Sequence, residues 1–252
     1  MADPEVYDNA EWIPPALPAA REPAWGYVDL GLFIGALIPV FVFANVLLFL
    51  AGLAAPFVIF NSAARQLTLQ SFLYVFLIGV LYYLVTGRHR QPFWQALGWT
   101  FPFPHAWICL VAGPLLAIAL SITGVLLKAP TENSLIEDLI TSRTSLALFI
   151  VFGVIFAPFF EELLFRGFLL PLLARSLGPA GGIILTGAFF GLLHGAQNHW
   201  AWQQMLLIGT AGVVFGYTRY RTGSTTAGFL MHAAYNATAF AGYTASHWRI
   251  LN

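Results

Sequence analysis

The sequence predicts an all-α, polytopic membrane protein: a bundle of about seven transmembrane helices, within a range of six to eight, around an internal polar cavity. Three observations predict it. Of the 252 residues, 59% are hydrophobic and only 9% are charged, whereas a soluble domain carries about 25% charged residues. The apolar residues fall into runs as long as the roughly 18 to 20 residues that cross a hydrocarbon core of about 30 Å. The few ionisable groups that interrupt these runs are gathered late in the chain.

The first 26 residues hold five prolines (Pro4, Pro14, Pro15, Pro18 and Pro23) and five acids against Arg21 alone, with no basic stretch ahead of an apolar one. This composition predicts a disordered polar tail over 1–26 and not a signal peptide. Residues 27–252 then read as one transmembrane domain. The run 27–53 is the first span, interrupted only by Pro39 and Asn45, which predict a kink. The second, about 67–87, ends in Tyr82 and Tyr83 beside Arg88 and Arg90, an aromatic and basic membrane boundary. The third, about 105–127, stops at Lys128.

Beyond 146 the pattern is less regular. A long apolar stretch at 146–173 is followed by segments at 181–196, 203–218 and 225–244 that are short or rich in glycine. Such segments span when they are tilted or buried inside a bundle. With seven spans and the amino terminus inside, Arg21, Arg88, Arg90, Arg175, Arg219 and Arg221 lie inside, against Arg65, Lys128, Arg143 and Arg249 outside, a slight positive-inside bias. The net charge is zero and the basic residues are scattered, so no nucleic-acid-binding face is present. Cys109, the only cysteine, stands in an apolar run and offers neither a disulfide nor a cysteine-based metal site.

After Leu139 the only acidic residues are Glu161 and Glu162, within APFFEELLFRGFLLPLL. Each ionisable group in a span costs about 2.5 to 3.5 kcal/mol on insertion scales, so this cluster must face a partner or a polar cavity. On a helix Glu162 and Arg166 stand at i and i+4 in the favourable order for an ion pair. Glu161 is turned about 100° away and keeps its carboxylate free for chemistry. A purely structural Glu–Arg tie between helices is the plainer alternative. In GAFFGLLHGAQNHW, Phe190 and His194 are an i, i+4 pair, and in GFLMHAAYNATAF so are His232 and Asn236. A lone histidine in an apolar helix is more often a packing residue, but two on helices that accompany a membrane glutamate form a constellation. His89, His105, His199 and His247 read as interfacial or solvated, with His199 near enough to His194 to line a site mouth.

Glu-Glu-x-x-x-Arg at 161–166, Phe-x-x-x-His at 190–194 and His-x-x-x-Asn at 232–236, in that order, resemble the motifs of the CaaX protease/bacteriocin-processing (CPBP, or Abi) family of intramembrane endopeptidases. The resemblance covers about residues 146–245. It implies that Glu161 and His194 activate a water, that His232 and Asn236 polarise the scissile carbonyl and hold its oxyanion, and that Glu162, Arg166 and Phe190 support them. The substrate it implies is a membrane-associated protein or peptide, prenylated at a CaaX carboxyl terminus in eukaryotic members. The expected setting is the lipid bilayer, in a bacterial cell the inner (plasma) membrane.

Residue chemistry agrees: a carboxylate, imidazoles and an amide supply a base, a proton and oxyanion donors. No serine stands in a GxSxG elbow, so an acyl-enzyme is not expected. The expected mechanism needs no cofactor; the alternative is a zinc ion held by Glu161, His194 and His232. Three other functions compete with proteolysis. A transporter would show paired irregular halves, a haem protein would leave the glutamate cluster unexplained, and an immunity or scaffolding member of the same family would keep the motifs for structure alone.

Overall fold

The computed structural model describes residues 22–102, 104–130 and 137–247, and among them the chain is helical, with no strand. Helix α1 is Tyr27–Ala54, α2 is Ser62–Arg88 and α3 is Ala106–Leu126. The next helical stretch, Arg143–Leu193, is divided at Gly178, whose φ of 72° and ψ of 167° are non-helical. Pro179 explains the break, because it has no N–H to continue the ladder and steers the preceding residue out of the α region. The stretch is therefore two helices, α4 (143–177) and α5 (179–193). Helices α6, Trp202–Thr222, and α7, Thr225–Ser246, complete a bundle of seven long helices among the described residues. Most of the predicted tail, residues 1–21, and Arg249 lie outside the described residues.

The chain is an integral membrane protein. Tyr27–Ala54, Ser62–Arg88, Ala106–Leu126 and Arg143–Leu193 are each long and apolar enough to cross a membrane. Large apolar side chains such as Val28, Ile38, Phe49, Leu115, Val125 and Ile184 are exposed on their outer faces. That distribution suits a lipid surround in place of water.

Inside, two apolar clusters divide the bundle. One joins α1, α2 and α4 through Phe33, Leu81, Leu84, Leu163, Phe168 and Leu172, and the other joins α3, α6 and α7 through Cys109, Leu207, Phe215, Ala227 and Met231. The crossings of α3 with α7 and of α5 with α6 depend on close backbone approach. A Cβ at Gly113 would stand 2.4 Å from the Met231 carbonyl, and one at Gly191 would stand 2.2 Å from the Met205 carbonyl. Small residues at these crossings let helices pack by direct backbone contact, the usual device where lipid supplies no hydrophobic drive.

At the amino-terminal end the bundle is closed by side chains and loop. Trp25 is 2% exposed and its Nε1 donates to the Phe168 carbonyl at 2.9 Å. Asp29 receives Arg88 Nε at 2.9 Å and His89 Nε2 at 2.9 Å, fastening α1 to the end of α2. His89 is thus half-buried and bonded at the end of α2. The connection between α2 and α3 is stapled to the start of α7, where Thr225 N donates to the Gly98 carbonyl at 2.8 Å, Thr225 Oγ1 to Leu97 O, and Ser224 Oγ to Thr100 O. This fixes the helix that carries His232 and Asn236.

Candidate active site

Helix α4 carries both glutamates between two π-helical segments, Phe152–Phe156 and Leu163–Leu169. A π segment bonds i to i+5, departs from the α ladder and recurs at functional sites. The first leaves the Gly153 carbonyl able to accept a side chain from another helix: Asn236 Nδ2 donates to it at 2.7 Å. The second begins directly after Glu162 and contains Arg166, so the pair bridges an α-to-π junction.

Glu162 and Arg166 are both fully buried, with Arg166 Nη1 at 2.9 Å from Glu162 Oε1. Arg166 Nη2 donates to the Gly212 carbonyl at 2.8 Å, and the guanidinium carbon lies 4.8 Å from the Phe190 ring centre and 5.4 Å from that of Phe215. One carboxylate, one carbonyl and two ring faces surround this cation, while its Nε and Nη1 make no hydrogen bond. The same Glu162 Oε1 receives His232 Nδ1 at 3.0 Å. Glu162 Oε2 is buried without a hydrogen-bond partner and faces Gly228, where a Cβ would stand 2.4 Å away.

His232 is 3% exposed and held on every side. Its ring stacks on Phe215, with centroids 4.6 Å apart and an interplanar angle of 21°, and meets Phe190 edge-on at 5.6 Å. With Nδ1 on Glu162, its Nε2 looks toward Glu161 Oε2, 3.8 Å away. That separation exceeds a direct hydrogen bond. The Glu161 side chain is 15% exposed while that of Glu162 is 0% exposed, which separates an accessible carboxylate from a sequestered one.

His194 caps the carboxyl end of α5, where its Nδ1 meets the Phe190 carbonyl at 2.7 Å and its ring contacts the Phe190 ring with centroids 4.6 Å apart. As a donor to that carbonyl, Nδ1 leaves Nε2 open. Helix α5 is only about 22 Å long at 1.5 Å per residue, short of a core of about 30 Å, and His194 at its end is half-buried.

The structure thus brings Glu161, Glu162, Arg166 and His232 into one contiguous cluster. Phe190 touches Arg166, His194 and His232 together. Among the described residues no hydrogen bond joins His194 or Asn236 to Glu161. Of the remaining histidines, His199 is exposed, with a left-handed φ of 49°.

Two residues that sequence reasoning passed over also belong to the site. Tyr74 Oη lies 3.4 Å from Glu161 Oε1, and Phe215 supplies the stacking face for His232. Tyr74 had a faint signal, a polar Gln70-x-x-x-Tyr74 pair within an apolar run, whereas Phe215 had none. As for zinc, no three His, Cys, Asp or Glu side chains among the described residues are grouped as metal ligands. His232 Nδ1 is occupied by Glu162, which leaves Nε2 as the nitrogen with which His232 could meet a metal.

No curated protein and no solved structure matches the chain. Residues 143–238, which span α4 to α7 and hold all seven residues singled out above from the three motifs, match the family model described as type II CAAX prenyl endopeptidase Rce1-like. Over that segment the chain is similar to the CaaX prenyl endopeptidases that this model describes.

Proposed function

We propose that this chain hydrolyses a peptide bond of a membrane-associated protein or peptide without a metal, and that prenylated CaaX-type carboxyl termini are its first substrates to test. One observation carries the reading: a buried imidazole, His232, anchored through Nδ1 on Glu162 and facing Glu161 through Nε2. The accessible Glu161 carboxylate removes a proton from water, helped by the open Nε2 of His194, as the water attacks the scissile carbonyl. His232, flanked by two carboxylates, and the Asn236 amide hold the oxygen that gains charge. When the C–N bond breaks, Glu161 returns the proton to the leaving amine. The products are a carboxylic acid and an amine, with no covalent enzyme intermediate. Glu162 and Arg166 keep His232 in place, and Phe190 backs all three.

The test is direct. The purified chain in liposomes is given a farnesylated CaaX peptide and its unprenylated counterpart, and the products are read by mass spectrometry. Release of the carboxyl-terminal tripeptide from the farnesylated peptide is the expected result. If both peptides are left intact while the protein remains folded, CaaX-type substrates are removed from the proposal.

A further inference from the structure

Helix α2 lies outside the matched segment 143–238, yet it delivers a phenol to the carboxylate of the proposed base. Tyr74 stacks on Phe160 with ring centroids 4.1 Å apart at 18°, and on Phe152 at 5.6 Å and 20°. Phe160 directly precedes Glu161, and Phe152 opens the first π segment, so the tyrosine is wedged against the part of α4 that orients the glutamate. Gln70, one turn earlier on α2, donates Nε2 to Tyr74 Oη at 2.9 Å. A carboxylate only accepts. With its oxygen accepting from Gln70, the phenol therefore turns its O–H toward Glu161 Oε1, 3.4 Å away. The two carboxylate oxygens are thus divided, Oε1 to Tyr74 and Oε2 to the side of His232.

We infer that Tyr74 is a positioning residue for Glu161: its hydroxyl, oriented by Gln70, holds the carboxylate so that Oε2 faces His232 and the attacking water. Packing alone would need only the ring, and a phenylalanine would stack as well. The Gln70–Tyr74–Glu161 relay is a chain of donors ending on an anion, in which each bond polarises the next. This inference rests on the proposed role of Glu161 as base.

The test is a double-mutant cycle on cleavage of a farnesylated CaaX peptide in liposomes, with thermal unfolding in detergent as the control. Tyr74→Phe keeps both ring stacks and removes only the hydroxyl. It should lower kcat roughly tenfold, the weak end of what a hydrogen bond to a charged group supplies, with KM and unfolding temperature unchanged. Gln70→Leu, which frees the phenol rotor, should lower kcat about threefold in the same sense. In a Glu161→Asp background the carboxylate is drawn back from the phenol, and Tyr74→Phe should then cost less than about twofold. Full kcat in Tyr74→Phe, the same tenfold loss in both backgrounds, or a rise in KM at constant kcat would each overturn the inference. If Glu161→Gln is inactive while Tyr74→Phe is fully active, only the tyrosine's role is lost. Wild-type turnover in Glu161→Gln removes the base and the tyrosine's role with it.

Discussion

Gly228→Ala is the most economical perturbation of the site, because it adds one methyl group and changes no charge. The new Cβ would stand 2.4 Å from Glu162 Oε2 and 3.4 Å from its Cδ, where ordinary contact begins at 3.4 Å. The carboxylate must therefore retreat by about 1 Å in a close-packed interior. It cannot do so freely, since Oε1 is ion-paired with Arg166 Nη1 at 2.9 Å and hydrogen-bonded to His232 Nδ1 at 3.0 Å. All three groups are buried, so water does not restore what is lost. Breaking a buried ion pair outright costs about 3 to 5 kcal/mol. A forced displacement that strains an ion pair and a hydrogen bond should cost about 2 to 4 kcal/mol, a large share of a stability of about 5 to 15 kcal/mol.

The assay is thermal unfolding in detergent, paired with peptide cleavage at a temperature where the variant is folded. The expected result is a clear fall in unfolding temperature and a loss of turnover of about 10²-fold as His232 leaves its place. Gly242→Ala, on the same helix with nothing within 4 Å of its Cβ, is the control and should be neutral or stabilising by up to about 1 kcal/mol. Wild-type stability and turnover in Gly228→Ala would refute the claim that Glu162 is locked between Arg166 and His232.

Further outcomes follow from the same geometry. Arg166→Ala leaves Glu162 buried and uncompensated, so it should lower the unfolding temperature far more than Glu161→Gln, whose side chain is partly exposed; equal small losses would count against the pairing. Asn236→Ala should lower kcat by about 10²- to 10³-fold if its amide holds the oxyanion, whereas a pure tie to Gly153 would show as lost stability with kcat retained. Exhaustive chelation should leave cleavage intact and elemental analysis should find less than stoichiometric zinc; activity abolished by chelation and rescued by zinc would overturn the metal-free mechanism.

Much of the fold was legible because hydropathy is the dominant constraint in a bilayer. The runs at 27–53, 105–127 and 225–244 fall within a few residues of α1, α3 and α7, and the gap between 173 and 181 contains the Gly178–Pro179 break. The contact of Glu162 with Arg166 was legible from i, i+4 spacing. What spacing could not carry was anything between helices. His232 meets Glu162 across seventy positions of sequence, and Tyr74 reaches Glu161 across eighty-seven. The π segments flanking the glutamates were also hidden, because hydrophobic periodicity does not report whether a residue bonds i+4 or i+5. Nothing in the sequence singles out Gly228, and only the placement of Glu162 Oε2 reveals why a Cβ is excluded.

The central claim, that Glu161 is the base that activates water, is tested most directly by Glu161→Gln in liposomes with a substrate that the wild-type protein cleaves. The substitution preserves the size of the side chain and removes its basicity, so the variant should fold and unfold as the wild type does while turnover falls by about 10² to 10⁴. Turnover within about twofold of wild type in a folded Glu161→Gln protein would contradict the account.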